Sequence, residues 1–267
     1  MDFVERYGPW ALVTGASEGT GAAFARLLAA KGMNLILVAR REGPLDALAS
    51  EIREQHKVQC ITATVDLCHR DAAAELAEIA GDREVGLLIT NAGADTNGAM
   101  FLDTDIAHWN DLVTLNVTTT MGLAHHFGRQ MRARQRGGMI LVSSGACYGG
   151  LSGISVYSAA KGFVLNLAEA LWAEMRHDGV DVLTLVLGRT DTPAHRRLME
   201  RNGQPIPAGM AQPDDVAETG LRQLPHGPIW NWGQPNDVAG MAPTSPDQRR
   251  ERIVTIERAS AAYAGKP

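Results

Sequence analysis

The sequence TGASEGTG at residues 14–21 is the first evidence for the fold that we expect of this chain. It follows the short apolar run WALVT at 10–14, which predicts a β-strand, and it precedes a helical pattern at 20–31. Glycines at a strand-to-helix turn permit a tight bend and let the backbone approach a pyrophosphate, while the helix N-terminus offers N–H groups. The stretch therefore predicts a dinucleotide-binding turn, although an ordinary glycine turn would have the same composition. The residues expected to bind there are Gly15, Ser17, Gly19, Thr20 and Gly21.

The rest of the chain repeats this alternation of strand and helix. Nearly continuous apolar runs predict strands that are buried on both faces at 10–14, 35–39, 60–65, 85–90, 139–144 and 180–187, with a seventh near GPIWNWG at 227–233. Amphipathic segments predict helices around 20–31, 43–56, 69–80, 105–135 and 155–178. The pattern indicates an α/β fold: a single doubly wound, Rossmann-like domain over 1–267, whose parallel sheet of about seven strands has helices on both faces. Ligands of such sheets bind at the carboxyl ends of the strands.

Composition limits the classes of ligand and location. The 267 residues are 45% hydrophobic and 21% charged with a net charge of −5, which favours a globular protein that binds small molecules rather than nucleic acid or an anionic membrane. Since no apolar run approaches about 18 residues and the start MDFVERYGPW has no signal-peptide pattern, we expect no membrane span and a cytoplasmic location. The three cysteines, Cys60, Cys68 and Cys147, show neither disulfide nor metal spacing, so no metal site is predicted.

The end of the second predicted strand bears on the choice of cofactor. In Val38-Ala39-Arg40-Arg41, neutral Ala39 stands where an acidic side chain would bind a ribose 2′-hydroxyl, and two guanidinium groups suited to a 2′-phosphate follow. This favours NADP(H) over NAD(H). Glu18 in the glycine turn opposes that preference unless it points to solvent, because a carboxylate repels phosphate. Alternatively, both arginines are solvated side chains at the start of a helix, and this alternative has more weight for Arg41 than for Arg40.

A second motif lies in VYSAAKGF at 156–163, inside an otherwise apolar helical pattern. Tyr157 and Lys161 are four residues apart, about one helical turn, so they share a face. A boundary tyrosine beside a solvated lysine would have the same spacing, so this pair needs support from elsewhere in the chain.

Further motifs supply this support: together with the Tyr157–Lys161 pair, they make the chain resemble the classical short-chain dehydrogenase/reductase family over residues 10 to about 192. The matching features are TGASEGTG, Asp66 after the third strand, Asn91-Ala92-Gly93 after the fourth, Asn116, Ser144, Tyr157 and Lys161; the tyrosine follows Ser144 by 13 positions, the usual spacing of the family. The resemblance implies that Asp66 holds the adenine edge and that Asn91 and Gly93 line the adenosine ribose. The further cofactor contacts that it implies are Leu67, Ala92, Tyr157, Lys161, Gly188, Thr190 and Thr192. Leu187 departs from the family, which often has proline there.

The resemblance also assigns catalytic roles. Moving a hydride to or from a carbonyl carbon requires a proton at the oxygen, and an ordinary phenol with a pKa near 10 is a poor base at neutral pH. The Lys161 ammonium would favour the Tyr157 phenolate and hold the nicotinamide ribose. Ser144 would donate a hydrogen bond to the substrate oxygen, and Asn116 would hold a water that links Lys161 to solvent. A turn serine and a buried helix amide are the alternatives for these two residues.

The substrate side is less defined. Pocket walls are expected from residues 145–151 and from a mobile lid at about 193–212, which is rich in proline and glycine. Pocket and core roles are equally open for Met199, Met210, Trp230 and Trp232. Packing is the preferred role of Cys147, and a packed or surface role is preferred for His125 and His126. A solvated face is preferred to an acidic-substrate site for Arg196, Arg197 and Arg201.

The C-terminal segment at about 233–267 is an extension with helical periodicity at Ile253, Ile256 and Ala259 or Ser260. It lacks the glycine-ended strand typical of acyl-carrier reductases and many tetramers of the family, so a homodimer is favoured over a tetramer. We therefore expect an NADP(H)-dependent enzyme for secondary alcohols or ketones, with bulky apolar substrates favoured. A non-catalytic NADP(H)-binding redox sensor and a 3-oxoacyl thioester reductase are the alternatives.

Overall fold

A computed structural model describes residues 2–94 and 98–232, together with Thr255 and Arg258. Seven strands form one sheet in the order β3-β2-β1-β4-β5-β6-β7. All neighbouring strands in the sheet are parallel. Their bounds are β1 Trp10–Thr14, β2 Asn34–Ala39, β3 Cys60–Thr64, β4 Val85–Thr90, β5 Gly137–Ser144, β6 Val180–Leu187 and β7 Ile229–Trp232. The predicted doubly wound α/β fold is confirmed, while the expected C-terminal extension, apart from Thr255 and Arg258, and the residues of its helical periodicity lie outside the described residues.

Helices cover both faces of this sheet. They are α1 Phe3–Tyr7, α2 Gly19–Ala30, α3 Glu42–His56, α4 Ala72–Ala80, α5 Ile106–Val113, α6 Thr119–Arg134, α7 Ser155–Met175, α8 Pro193–Arg201 and α9 Pro213–Gln223. Buried residues of α2, α3 and α9 pack on one face, and buried residues of α4, α6 and α7 pack on the other. This arrangement follows from right-handed crossovers between parallel strands, which place successive helices on the sheet faces.

The alternation of side chains along a strand divides the core between these layers. In β2, Leu35 and Leu37 belong to the cluster under α2, α3 and α9, whereas Ile36 and Val38 belong to the opposite cluster. Both sets are fully buried, as the nearly continuous apolar run predicted. The prediction of burial on both faces was wrong for β3, where Thr64 is exposed and Ile61 and Thr62 are half-buried, because this strand lies at the edge of the sheet.

The single long helix predicted at 105–135 is the main difference in secondary structure. The structure has α5, then a π-helical turn at Thr114–Thr118, then α6. A π turn places one extra residue in the helix and shifts the faces on either side of it, and such turns are frequent at functional sites. Asn116, one of the predicted catalytic residues, lies within this turn and is buried.

Candidate active site

The glycine turn between β1 and α2 is too closely packed for side chains at its glycines. Gly15 and Gly19 adopt positive φ values of 67° and 56°, which side-chain-bearing residues rarely adopt. A Cβ atom at Gly21 would fall well inside contact distance of the Gly15 carbonyl oxygen, so α2 packs directly on the turn. The structure therefore has the tight bend and the close helix approach that the sequence predicted for this turn.

Residues after β4 brace the same turn. The Asn91 side chain donates to the Thr14 carbonyl oxygen at 3.1 Å, and the backbone N–H groups of Asn91 and Ala92 donate to the Thr14 hydroxyl at 3.0 and 3.1 Å. Adjacent parallel strands β1 and β4 are thus tied together at their carboxyl ends. Gly93 follows at a φ of 143° and is buried. These bonds fix the edge of the sheet at which the predicted cofactor residues meet.

The Lys161 ammonium lies in the interior, on the face of α7 that meets β5. Only 4% of Lys161 is exposed, and its Nζ donates to the Val142 carbonyl oxygen at 3.1 Å. The Ser143 hydroxyl donates back to the Lys161 carbonyl oxygen at 3.1 Å, so helix and strand are bonded in both directions. Burial lowers the pKa of Lys161 to about 8, against the opposing effect of Cys147. Its Nζ also lies 5.6 Å from the centre of the Tyr157 ring, which confirms that the two residues share a face.

Asn116 and Lys161 converge at Gly93. A Cβ atom at Gly93 would lie 3.0 Å from Lys161 Nζ and still closer to Asn116 Oδ1. The Asn116 amide nitrogen donates to the Leu112 carbonyl oxygen at 3.0 Å. Its buried Oδ1 receives no hydrogen bond from the residues that the structure describes. Buried acceptors are rarely left unsatisfied, so this oxygen is a candidate to accept a hydrogen bond from a bound water.

Ser144 ends β5, two residues after the carbonyl that binds Lys161. It is half-buried, and its hydroxyl oxygen accepts from the Ala146 backbone N–H at 3.3 Å, which starts the 3₁₀ turn Gly145–Tyr148. Tyr157 is likewise half-buried. The strand that carries Ser144 and the helix that carries Tyr157 are therefore locked together by the Lys161 and Ser143 bonds.

The end of β2 differs from a simple solvated pair of arginines. Ala39 is buried and Arg40 is exposed, but Arg41 Nη2 donates to Glu18 Oε2 at 2.6 Å. Glu18 Oε1 accepts from Arg197, which is 179 positions away on α8. Although burial raises the pKa of the Glu18 carboxyl, the hydrogen bonds from Arg197 and Arg41 outweigh it and hold that pKa below its usual range. The sequence raised the question of where Glu18 points, but residue spacing could not reveal its partner on α8.

The predicted lid contains helix α8 and approaches the glycine turn. Thr192 caps α8 by accepting from the His195 N–H at 3.2 Å, and a Cβ atom at Gly19 would lie 2.9 Å from the Thr192 methyl carbon. Thr190 forms a parallel bridge with Ala211, which closes the base of the segment, and Gly188 is half-buried just after β6. Thr190 and Thr192 thus lie on the same side of the sheet as the turn, as expected of cofactor contacts.

Other residues named from the sequence have varied positions. Asp66 is exposed and accepts from the Cys68 N–H at 3.1 Å, while Leu67 is buried and its carbonyl accepts from Thr119 at 2.9 Å. Cys60 and Cys147 are buried and Cys68 is half-buried. Trp230 packs against the core, which favours its core role, and the side chain of Trp232 lies outside the described part of the chain. Met199, Met210 and His126 are half-buried, and His125 is exposed.

One buried contact near the site was missed in the sequence. The Tyr148 hydroxyl donates to Asn231 Oδ1 at 2.5 Å, and burial, with the nearby Cys147, raises the pKa of Tyr148 to about 12 despite that bond. This bond ties the turn after Ser144 to β7. Polar residues on two distant segments gave no pattern that could have predicted the pairing.

The described residues also limit other kinds of site. None of the helices in them combines the length and the apolar character that a membrane crossing requires. Among the same residues, His, Cys, Asp and Glu side chains form no group of three or more that could bind a metal ion.

Comparison with known proteins agrees with this geometry. The family model described as short chain dehydrogenase matches residues 9–203. A 7β-hydroxysteroid dehydrogenase of Clostridium sardiniense is 33% identical over 224 residues, which cover 84% of this chain and 85% of the relative. An "inactive hydroxysteroid dehydrogenase-like protein 1" of Rattus norvegicus is 29% identical over 188 residues, covering 69% of this chain and 57% of that protein.

Solved structures give the same result. A structure from work on 7β-hydroxysteroid dehydrogenase stereoselectivity superposes with a TM-score of 0.84 at 29% identity, over 94% of this chain and 99% of the other. A short-chain dehydrogenase from Sphingobium yanoikuyae in complex with NADPH superposes with a TM-score of 0.75 at 25% identity, over 95% of each chain. The chain therefore belongs to the short-chain dehydrogenase family of oxidoreductases, whose Rossmann-like fold binds NAD(P) and whose members act on hydroxyl and keto groups.

Proposed function

We propose that this protein is an NADP(H)-dependent oxidoreductase that interconverts a secondary alcohol and its ketone. One observation carries the proposal: the Lys161 ammonium is buried 5.6 Å from the centre of the Tyr157 ring and is bonded to the strand that ends in Ser144. Burying a lone ammonium is costly, so its position beside a phenol calls for a functional reason. Proton transfer at a substrate oxygen supplies that reason.

The described residues fit a nicotinamide dinucleotide. Gly15, Gly19 and Gly21 keep the turn compact, because side chains there would clash with neighbouring protein atoms, and the N-terminus of α2, which can bind a pyrophosphate, follows the turn directly. Asn91, Ala92 and Gly93 lie along the neighbouring strand end, and Asp66 and Leu67 lie after β3. Gly188, Thr190 and Thr192 would hold the nicotinamide end. When bound, the cofactor supplies or accepts the hydride.

The chain's own residues would handle the proton. Tyr157 donates a proton to the carbonyl oxygen in reduction and removes it from the hydroxyl in oxidation. The Lys161 ammonium stabilises the phenolate that remains after donation, and Ser144 holds the substrate oxygen by a hydrogen bond. Asn116 Oδ1, which is buried near Lys161 Nζ at Gly93, accepts a hydrogen bond from a water that carries the replacement proton.

The preference for NADP(H) rests on the end of β2. Ala39 has no acceptor for a ribose 2′-hydroxyl, and Arg40 extends into solvent beside it, where it can donate charge-assisted bonds to a 2′-phosphate. Ser17 in the turn supplies a further hydroxyl. The NADPH-bound structural neighbour supports this choice.

Bulky apolar ketones are the proposed substrates, steroid-like or aromatic. The relatives named as 7β-hydroxysteroid dehydrogenases support this class. The half-buried Met199 and Met210 lie on the lid segment at 193–212, where they can contact an apolar substrate.

The test is NADPH oxidation measured against steroid, aromatic, sugar and acyl-thioester carbonyls at equal concentrations. We expect the highest kcat/KM with multi-ring ketones. Faster turnover of small sugars would overturn the substrate class, and preference for the thioester would favour the 3-oxoacyl reductase. NADPH binding without turnover of any member would favour a non-catalytic sensor, the function that the inactive relative suggests.

We also propose a homodimer. The groove between α5 and α7 is about 390 Å³ and is lined by Phe101, Val113, Val117, Ser155, Val156, Ala159 and Ala160. Apolar side chains beside it are unusually open to solvent, with Leu102 89% and Ile106 63% exposed. A second copy that presents the same groove would cover them. Light scattering should give the mass of a dimer for the native chain and of a monomer for Val113→Glu.

A further inference from the structure

Glu18 joins three separate segments of the protein through one carboxylate. Oε2 accepts from Arg41 Nη2 at 2.6 Å, at the start of α3, and Oε1 accepts from Arg197 Nη2 on α8. The carboxylate side chain is 24% exposed, and the two arginine side chains are 50% and 54% exposed. One negative charge therefore holds two cations, which leaves a net positive charge beside the glycine turn.

Helix α8 depends on contacts of this kind. None of the residues Pro193–Arg201 is fully buried, and its apolar residues Leu198 and Met199 are only half-buried, so apolar packing holds this helix to the body less firmly than it holds α7. The Arg197 bond to Glu18 and the contact of Thr192 with Gly19 bring its N-terminal part onto the glycine turn. A helix held by polar surface contacts has a low free energy of local opening. The fraction of time for which Arg197 is bonded to Glu18 therefore affects how closely α8 covers the glycine turn.

A 2′-phosphate would change how this charge is shared. A guanidinium binds phosphate more strongly than a shared carboxylate, because phosphate carries more charge and accepts both arms of the fork. If Arg41 binds the phosphate instead, Arg197 is the remaining partner of Glu18. The negative phosphate nearby then makes the ion pair of Glu18 with Arg197 more favourable. The non-phosphorylated cofactor would leave Arg41 on Glu18.

We propose that Glu18 is a positioning residue that couples the 2′-phosphate of NADP(H) to the α8 lid: the phosphate takes Arg41, and Glu18 then draws Arg197 and α8 onto the glycine turn. This inference rests on the proposed function, since it requires NADP(H) to bind at the turn. It makes NADPH, but not NADH, a ligand that orders the lid. Glu18 would at the same time weaken NADPH binding through its own charge.

Hydrogen–deuterium exchange of the α8 amides at 194–201 tests the coupling. The native chain is compared without ligand, with saturating NADPH and with saturating NADH. We expect NADPH to slow exchange about two- to fivefold more than NADH, the range that exposed ion pairs can supply. Glu18→Gln and Arg197→Gln should each abolish this difference. Glu51→Gln is the matched control, because Glu51 accepts from Arg26 at 2.7 Å in an ion pair between α2 and α3, away from α8, and the control should retain the difference.

Fluorescence titration of NADPH separates the two possible failures. Glu18→Gln should bind both cofactors more tightly than the native chain, since each carries a pyrophosphate at the glycine turn, and the gain should be severalfold larger for NADPH, whose 2′-phosphate adds further negative charge. If the native chain binds NADPH no better than NADH, the proposed cofactor preference fails and the coupling fails with it. If NADPH is preferred but both cofactors protect α8 equally, or if Glu18→Gln keeps the difference, the coupling alone is overturned.

Discussion

Helices α7 and α8 both border the candidate active site, yet they are held by opposite means. Helix α7 has a buried face that includes Lys161, and it is bonded to β5 through Val142 and Ser143. Helix α8 has no fully buried residue; Arg197 pairs with Glu18 in the glycine turn, and the pair of Arg196 with Asp191 is local to the start of the helix. Under the proposed function, the catalytic residues Tyr157 and Lys161 lie on the firmly held helix, and the proposed substrate lid contains the loosely held one.

This difference implies that substitutions on α7 and α8 act on different quantities. A change on α7 alters groups fixed in the interior, so it should affect the chemical step. A change on α8 alters exposed pairs that solvent screens, so it should affect binding by small factors. The predictions that follow are ordered from the largest effect to the smallest.

The removal of the Tyr157 hydroxyl should have the largest effect. Tyr157→Phe should lower kcat for ketone reduction by about 10²- to 10⁴-fold, the range for loss of a general acid, while NADPH binding measured by fluorescence changes little. Tyr7→Phe is the matched control, since its hydroxyl donates to Asp181 near the start of β6, at the edge of the sheet opposite the candidate active site. Comparable losses in both variants would show that the tyrosine at 157 has no special role.

The pH dependence of ketone reduction should follow the protonation state of Lys161. Burial lowers the pKa of this group to about 8, so the ammonium is present below that pH and is lost above it. We expect kcat/KM for NADPH to fall as pH rises through about 8 and to approach a tenfold loss per unit at higher pH. A profile that is flat to pH 10 would contradict the role of the ammonium.

The cofactor preference should depend on Arg40. One charge-assisted bond at the low end of about 1.5 kcal/mol corresponds to roughly a tenfold preference, so Arg40→Ala should reduce the ratio of NADPH to NADH efficiencies by about that factor, mainly through KM. Arg129→Ala, an exposed arginine on α6, is the control and should leave the ratio unchanged. Equal efficiencies in the native chain would show that another residue selects the cofactor.

The smallest effect is expected within α8. Arg196 Nη2 donates to Asp191 Oδ2 at 2.6 Å in an exposed pair. Arg196→Gln should change KM for the ketone by less than about fivefold, because solvent screens such pairs, and it should leave kcat and NADPH affinity unaltered. A large fall in kcat would indicate that α8 takes part in the chemical step, which would remove the contrast with α7.

Features that depend on the spacing of nearby residues could be predicted from the sequence. Apolar runs gave the strands, the glycines at 15, 19 and 21 gave the turn, and the four-residue interval placed Tyr157 and Lys161 on one helical face. These features follow from backbone geometry that is repeated every two or 3.6 residues. They were sufficient for the fold, the glycine turn and the Tyr157–Lys161 pair, whereas Asn116, Ser144 and the further cofactor residues were named from the family resemblance.

Features that depend on residues far apart in the chain could be found only in the folded structure. The π turn at Asn116 interrupts a pattern that predicts one continuous helix, and the exposure of β3 depends on which strand lies at the edge of the sheet. The contact of Glu18 with Arg197 joins residues 179 positions apart. The burial of Lys161 against Val142 likewise depends on how α7 packs on β5. No periodicity encodes such contacts, because they are set by the packing of whole elements rather than by the geometry of one.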